Sequence, residues 1–256
     1  MSTSPYGDEV ESNDEFMRKR QDAIIAMSND ESLHTRAIEL QVAATDYQYG
    51  YQQLWCGVPI IRLPDDIMLL QEIVFTLRPT SIIETGIARG GSLILNASLM
   101  EICGVTPRVL GIDIQIFDHA KLAIAQSRYS SMIELVQCDS ASDAARHTVE
   151  LFIDKSGAHT PCLLILDSNH SHPHVLNELR RLTPCLPIGS VVVVADTIIS
   201  EMPSEHYSDR PWDRARNPLS ALKEFLATTP NFEVSTRWAR RGLLSEMRDG
   251  VIVKTS

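Results

Sequence analysis

The sequence lacks the features that define several large classes of protein. No stretch approaches the roughly 18 consecutive apolar residues of a membrane-spanning helix, and the first residues are polar and acidic, unlike a signal peptide. Basic residues are in deficit, 23 against 33 acidic, so the net charge of −10 disfavours non-specific binding to nucleic acid or anionic lipid. The five cysteines include no Cys-x-x-Cys pair, which indicates reduced thiols rather than a disulfide or zinc framework. We therefore expect a cytoplasmic protein that binds neither nucleic acid nor membrane.

The chain is long enough for one large domain with an extension. It has 256 residues, of which 44% are apolar and 22% charged. Residues 1–14 are rich in Ser, Asp, Glu and Asn and are predicted to be a disordered tail. Residues 15–63 begin with helical spacing and continue into an aromatic stretch, and we interpret them as a helical and lid segment. The remainder, 64–256, is predicted to be the ligand-binding domain.

Helical and strand-like stretches alternate through that domain. Five β-branched apolar runs are predicted to form strands, at 81–85, 108–112, 132–137, 163–166 and 191–194. Continuous apolar strands separated by helices are typical of a parallel sheet covered on both faces. Two later runs, 232–237 and 250–254, are predicted to close one edge as an antiparallel pair. The sequence therefore predicts a doubly wound, mostly parallel Rossmann-like α/β fold with an N-terminal helical extension.

A glycine-rich turn follows the first predicted strand. In E-T-G-I-A-R-G-G-S, Gly86, Gly90 and Gly91 allow the backbone to turn tightly and to approach a ligand closely. Ligands of open α/β sheets bind at the carboxyl ends of the strands, and the next two strands are followed by Asp113 and Asp139. The glycine spacing does not match the dinucleotide fingerprint G-x-G-x-x-G. One carboxylate per loop, with Asp113 placed to bind ribose hydroxyls, favours S-adenosylmethionine (SAM) over NAD, although Asp113 alone would also suit a helix cap.

The fourth and fifth strands are also followed by polar side chains. L-D-S-N-H-S-H-P-H supplies Asp167 and three histidines, and V-A-D-T supplies Asp196. Carboxylates on neighbouring strand ends would share one cleft, so Asp167 and Asp196 are candidate ligands of Mg²⁺, which prefers oxygen. His170 is a candidate base for a substrate hydroxyl. His172 and His174 are expected to cap or solvate the next helix, since their spacing matches no familiar zinc signature.

These motifs together resemble the cephalosporin hydroxylase and rhamnosyl O-methyltransferase family of SAM-dependent enzymes. The similar stretches run in the expected order, at 55–61, 82–94, 111–114, 166–175, 196–199, 210–212 and 217–226. The resemblance implies a class I methyltransferase fold, with the cofactor between the first three strand ends and Mg²⁺ beside it. Because members of the family methylate hydroxyls of sugars or natural products, it also implies a small hydroxylated acceptor. A homo-oligomer is a further expectation from the family.

The resemblance assigns individual residues as well. The cofactor-binding residues that it implies are Glu84, Gly86, Arg89, Gly90, Gly91, Ser92, Asp113, Asp139, Ser140 and Asp167. Asp167 also matches a metal-binding aspartate. Asp196 matches the second member of a Glu-Asp pair that ends the fifth strand, but the Glu position is Ala195 in this chain. Losing one carboxylate of three is expected to weaken Mg²⁺ binding.

We therefore interpret the protein as a SAM-dependent O-methyltransferase with Asp167 and His170 as its catalytic residues. His170 would take the proton of the acceptor hydroxyl, and the charged, aromatic loop 201–216 would face the acceptor. A second hypothesis is a cofactor-binding partner protein without catalysis of its own, which Ala195 motivates. An NAD-dependent oxidoreductase is disfavoured by the missing fingerprint, and a serine hydrolase by the missing G-x-S-x-G elbow.

Overall fold

The N-terminal part of the protein is helical. The computed structural model describes residues 12–155 and 160–256. Residues 1–11 of the predicted tail therefore lie outside the described residues. Helix α1 (Asn13–Ser28) takes in the last two residues of that predicted tail, because the Ser12 side chain caps it by accepting the Glu15 N–H. Helix α2 (Glu31–Thr45) and a 3-10 turn (Tyr49–Tyr51) follow. The N-terminal helical extension is thereby confirmed, whereas its role as a lid stays a prediction.

A short hairpin joins this extension to the main domain. Its strands are β1 (Leu54–Trp55) and β2 (Val58–Pro59), paired antiparallel. Helix α3 (Pro64–Leu77) comes next, with Pro64 at its first position, where the missing N–H costs no hydrogen bond.

A seven-stranded sheet forms the centre of the domain. Its strands are β3 (Ile82–Thr85), β4 (Val109–Asp113), β5 (Ile133–Gln137), β6 (Leu163–Leu166), β7 (Val191–Val194), β8 (Phe232–Val234) and β9 (Val251–Lys254). They lie in the order β5-β4-β3-β6-β7-β9-β8. All neighbours pair in parallel except β9, which is antiparallel to both β7 and β8. The doubly wound, mostly parallel fold with an antiparallel edge is confirmed.

Helices cover both faces of the sheet. They are α4 (Gly91–Ile102), α5 (Asp118–Gln126), α6 (Asp143–Asp154), α7 (His172–Leu182) and α8 (Pro218–Thr228). Alternate strand residues belong to opposite cores, so Ile82 packs with α3, α4 and α5, and Ile83 packs with α6, α7 and α8. This two-sided burial explains why β6 and β7 are apolar throughout. Among the described residues, no helix has the length and apolarity to cross a membrane.

The topology fixes where a ligand can bind. Strand β3 pairs with β4 on one side and with β6 on the other, so the chain changes its direction of winding between β3 and β6. In such sheets a crevice opens outside the carboxyl ends of the strands at the switch point. The residues that follow β3 and β6 are those of the glycine-rich turn and the segment beginning at Asp167.

Candidate active site

Two adjoining cavities open at this edge of the sheet. The first, of about 260 Å³, is lined by the glycine-rich turn after β3 and by residues that follow β6 and β7. The second, of about 450 Å³, is lined by the end of α2, the turn at Tyr49–Tyr51 and the loop 201–216. The residues that border both cavities are Gly50, Tyr51, Ser168, His170, Asp196 and Glu246. Where the two cavities meet, the side chains are therefore mostly polar.

Seven of the ten predicted cofactor residues line the first cavity. They are Glu84, Gly86, Arg89, Gly90, Gly91, Ser92 and Asp167. Arg89 also borders a separate cavity of about 780 Å³ on the other side of the turn, next to the β1–β2 hairpin. That cavity contains none of the residues that follow β6 or β7, so we do not assign the site to it.

Asp113, Asp139 and Ser140 lie outside the lining of the two adjoining cavities. The Asp113 carboxylate accepts the backbone N–H of Ile87 at 2.8 Å and that of Gln115 at 3.0 Å, which ties the end of β4 to the glycine-rich turn. Asp139 accepts the N–H of the residue two positions on, at 2.9 Å. Ser140 Oγ lies 3.1 Å from His174 Nε2. Asp113 is the last residue of β4, Asp139 and Ser140 follow β5, and their contact with a cofactor stays a prediction.

Gly86 is required by a close approach of two loops. Its φ is +89°, and a Cβ at this position would lie 2.0 Å from the backbone oxygen of Asp167. No L-residue with a Cβ fits there without moving the backbone of Asp167. The glycine thus sets the position of a predicted functional residue on the neighbouring strand end.

Glu84 is a buried carboxyl group with three polar neighbours. It is only 1% exposed, accepts hydrogen bonds from Ser92 Oγ and Asn96 Nδ2, and lies 3.4 Å from Arg62 Nη2. Burial raises its pKa to about 7, although Arg62 and both hydrogen bonds oppose the shift.

Arg62 is a site residue that the sequence analysis missed. It is 2% exposed, and its Nη2 lies 3.0 Å from Asp167 Oδ2 as well as 3.4 Å from Glu84 Oε1. Burial lowers its pKa, but the charges of Asp167 and Glu84 outweigh that effect and leave the pKa raised, so Arg62 stays protonated. The only signal in the sequence is an arginine within the apolar stretch I-I-R-L-P.

Asp167, His170 and Asp196 come together as predicted from the strand ends. Each offers one ligand atom, and these atoms lie within 4.8 Å of one another. His170 Nδ1 is 3.4 Å from Asp196 Oδ2, and the Trp212 ring meets the imidazole edge to face at 5.0 Å. The three side chains are each about one fifth to one quarter exposed, so a ligand can reach them.

The acidic groups around this trio are crowded. Burial raises the pKa of Asp167 to about 6, with Asp196 adding to the shift and Arg62 opposing it. Burial likewise raises the pKa of Glu246 well above its ordinary value, and the charges of Asp196 and Asp66 add to it. Glu246 was not predicted as a site residue, because it belongs to the loop before β9 and follows none of the parallel strands.

The two other histidines have structural partners instead of the solvated, helix-capping role that we expected. His172 lies 2.7 Å from Ser220 Oγ and 3.0 Å from Glu224 Oε2, which joins α7 to α8. His174 Nε2 lies 3.5 Å from the buried Glu178 and also contacts Ser140 and Ser168. Neither side chain belongs to the metal-ligand group.

The sheet has a single reversed strand, and a cavity opens at the switch point of its strand order. These features define a class I methyltransferase-like fold. The chain belongs to the Rhamnosyl O-methyltransferase/CmcI family, whose model matches residues 47–255. Among solved structures, CmcI with Mg and SAM matches at a TM-score of 0.57 and 21% identity, covering 80% of this chain and 78% of that one. The O-methyltransferase TomG from Streptomyces achromogenes, in complex with SAM, matches at 0.52 and 17%, covering 89% and 91%. At these identities the likeness concerns the fold.

Relatives known by sequence are similar over a shorter region. The rhamnosyl O-methyltransferase of Mycobacterium leprae (strain TN) is 31% identical over 149 residues, 58% of this chain and 62% of the relative. That of Mycobacterium tuberculosis (strain ATCC 25618 / H37Rv) is 30% identical over 149 residues, 58% of each. The chain thus spans about three fifths of the length of the relatives that it matches.

Proposed function

We propose that the protein is a SAM-dependent O-methyltransferase that methylates a hydroxyl of a small metabolite, a sugar or a natural-product intermediate. One observation carries the proposal: two cavities meet at His170 and Asp196. The cavity beside the glycine-rich turn suits the methyl donor, and the other cavity suits the acceptor. Membership in a family that includes rhamnosyl O-methyltransferases supports this interpretation.

The first cavity has the charge that a methyl donor of this kind needs. When bound, SAM supplies an electrophilic methyl group: the new O–CH₃ bond forms as the S–CH₃ bond breaks, and the bonding electron pair stays on sulfur. The carboxyl groups of Glu84 and Asp167 line the cavity and would favour a positively charged sulfonium. The glycine-rich turn would bring backbone groups close to the ligand.

His170 would accept the proton of the acceptor hydroxyl. With Nδ1 3.4 Å from Asp196 Oδ2, the carboxylate favours the tautomer that carries its proton on Nδ1. Nε2 is then left with a lone pair that can take the hydroxyl proton. Trp212 packs edge-on against the ring and limits its rotation.

The residues present also fit a divalent cation. Asp167 and Asp196 are the proposed Mg²⁺ ligands, in agreement with the convergence of their ligand atoms and that of His170. A cation held there would lower the pKa of the acceptor hydroxyl. His170 acts as a base in this scheme only when its Nε2 does not bind the cation.

The second cavity has the character of a site for a hydroxylated ring. Tyr49, Tyr51, Tyr207 and Trp212 supply aromatic surface, and Arg210 supplies hydrogen-bond donors. Arg210 also stacks over the Trp212 ring at 5.7 Å. The residues of loop 201–216 that line this cavity thus support the expectation that the loop faces the acceptor.

The test is calorimetric titration of S-adenosylhomocysteine (SAH) into the protein, with Mg²⁺ and again with EDTA, followed by methyl transfer from SAM to a panel of glycosides. We expect micromolar SAH binding and turnover of at least one hydroxylated acceptor. The variant His170→Ala should lose most of the methyl transfer and keep its SAH affinity, because His170 acts on the acceptor proton.

Three outcomes would contradict the proposal or part of it. Failure to bind SAH in either condition would refute a SAM-dependent function. An equal loss of SAH affinity and turnover in His170→Ala would remove His170 from the role of base. SAH binding without turnover of any acceptor would favour the alternative of a non-catalytic cofactor-binding partner protein.

A further inference from the structure

Ser168 directly follows β6 and Asp167 and borders both of the adjoining cavities. We propose that Ser168 is a cofactor-binding residue whose hydroxyl proton is held by Glu178, so that its oxygen offers a lone pair to the positively charged sulfonium of SAM. Glu178 is then a positioning residue that acts through Ser168. This inference rests on the proposed SAM-dependent function and names residues that recognise the charge of the methyl donor.

Glu178 is a charged residue on the buried face of α7. The other residues that this helix buries are all apolar: Val175, Leu176, Leu179 and Leu182. Glu178 itself is 0% exposed, and its Oε2 has no hydrogen-bond partner among the residues that the structure describes. Burying a carboxylate with an unpaired oxygen costs stability. Packing therefore does not explain a glutamate at this position, and its contacts through Oε1 become the relevant ones.

The hydrogen bond between Ser168 and Glu178 sets the direction of the serine hydroxyl. Ser168 Oγ lies 2.8 Å from Glu178 Oε1. An ionised carboxyl group accepts hydrogen bonds and donates none, so the hydroxyl proton points at Glu178. His174 Nε2 lies 3.5 Å from the same oxygen and is a positive partner for the carboxylate when protonated. Toward any other group, Ser168 Oγ is thus an acceptor.

A lone pair of Ser168 Oγ remains available to a ligand. A hydroxyl oxygen has two lone pairs, and His174 Nε2 lies 3.2 Å from Ser168 Oγ and 3.1 Å from Ser140 Oγ. Ser140 Oγ is 3.4 Å from Ser168 Oγ, longer than the about 2.5–3.0 Å of an ordinary O–H···O bond. The histidine therefore occupies at most one lone pair of Ser168, whose side chain is only half-buried.

An oxygen that can only accept suits a cation. Its partial negative charge favours a positive ligand group, whereas a hydroxyl free to turn would serve a neutral or anionic group equally well. In the proposed function the methyl group passes from one cavity to the other where they meet, so the sulfonium would lie at that boundary. Ser168 borders both cavities, as do His170 and Asp196.

A comparison of SAM with SAH tests this recognition directly. SAM carries the methyl group and the positive charge on sulfur, SAH carries neither, and the two molecules are otherwise the same. The ratio of their dissociation constants therefore reports contacts with the sulfonium, and a general weakening of the cavity cancels in it.

The test is calorimetric titration of SAM and of SAH, each in EDTA, into wild type, Ser168→Ala, Glu178→Gln and the double variant. We expect the preference for SAM over SAH to fall about threefold or more in Ser168→Ala, because the acceptor oxygen is lost. It should also fall in Glu178→Gln, since a glutamine amide can donate to Ser168 Oγ and release the hydroxyl proton. The double variant should show the same preference as Ser168→Ala, because Glu178 acts only through the hydroxyl.

Ser81→Ala is the matched control. Ser81 is a buried serine just before β3, at the opposite edge of the sheet, and its hydroxyl donates to Cys162 Sγ at 3.2 Å. This variant also loses a buried serine hydroxyl, but far from the cavities, so its preference for SAM over SAH should equal that of wild type.

The outcomes separate this inference from the proposed function. An unchanged preference for SAM in Ser168→Ala would overturn the inference, and so would an equal fall of both affinities, which would mean that Ser168 contacts a shared part of the two ligands. A double variant with a lower preference than Ser168→Ala would show that Glu178 does not act through Ser168. All three results leave SAM-dependent methyl transfer standing, whereas a wild type that binds neither molecule would refute the function and the inference together.

Discussion

The substitution Gly86→Ala tests whether the glycine-rich turn positions Asp167. The added Cβ would lie 2.0 Å from the Asp167 backbone oxygen and 2.7 Å from its carbonyl carbon. Both atoms belong to backbone at the end of a buried strand, so they cannot move away as a flexible side chain would. We therefore expect the variant to lose stability and to displace Asp167.

The cost has two parts. Alanine at a φ of +89° costs about 1–2 kcal/mol, because L-residues avoid that conformation. Forcing a methyl group into closely packed atoms adds about 1–3 kcal/mol. The sum, about 2–5 kcal/mol, is a large fraction of the about 5–15 kcal/mol that stabilises an ordinary domain.

Gly57 provides a matched control for the first part. Its φ is +82°, and a Cβ added there would meet nothing within 4 Å. Urea unfolding of Gly57→Ala should therefore show the backbone cost alone, and Gly86→Ala should lose about 1–3 kcal/mol more. Equal losses of the free energy of unfolding in the two variants would refute the close approach of Gly86 to Asp167. Unchanged affinity of Gly86→Ala for SAH and Mg²⁺ would contradict the expected displacement of Asp167.

Two further predictions concern regions around the site. Burial lowers the pKa of His174, but the hydrogen bond and charge of Glu178 outweigh it and leave the pKa raised. The folded state thus holds this proton more tightly than the unfolded state, and the stabilisation is present below about pH 6.5 and lost as the pH rises through the folded pKa. Urea unfolding between about pH 6 and pH 8 should show a smaller loss for Glu178→Gln than for wild type, and an equal loss would contradict this pairing. Helix α1 buries no residue whereas α4 buries nine, so the amides of α1 should exchange with deuterium much earlier, and similar protection in both helices would contradict a loose attachment of α1.

Much of the fold follows from local patterns in the sequence. The predicted apolar runs locate the five parallel strands to within about one residue. β6 and β7 are apolar throughout because both of their faces are covered, whereas β5 lies at the edge of the sheet and is partly exposed. The edge strand β8 is shorter than predicted and ends at Val234 instead of residue 237. It pairs only with β9, so fewer contacts hold its end in the sheet.

Within the candidate site, only the polar residues that directly follow the parallel strands are predictable from the sequence. The chain direction of a parallel sheet brings Asp167, His170 and Asp196 to one edge, so their meeting follows from the predicted strands. Arg62 and Glu246 reach the same place by tertiary packing, and Arg62 is 105 residues away from its partner Asp167. No periodicity or spacing in a single sequence relates residues that are joined in this way.

Asp113 shows why a correct position does not define a role. Because ligands of open α/β sheets bind at the carboxyl ends of the strands, an acidic residue at the end of β4 is predicted to bind ribose. Asp113 does lie at the end of β4. Its carboxylate also accepts the Ile87 N–H from the glycine-rich turn, so it would hold that turn in place even without a ligand. Each oxygen retains a lone pair, so binding to ribose and support of the turn are compatible.

Asp167 connects the two halves of the proposed site. On one side Arg62 Nη2 lies close to both Asp167 and Glu84, and on the other side Asp167 meets His170 and Asp196. Arg62 can balance one carboxylate of this group but not all of them, since it brings a single positive charge to a place where burial already disfavours ionised acids. The remaining negative charge lies between the two cavities, where the proposed sulfonium and the divalent cation would each stabilise it. In the proposed function, this one shared carboxylate would therefore couple the binding of the methyl donor to that of the cation.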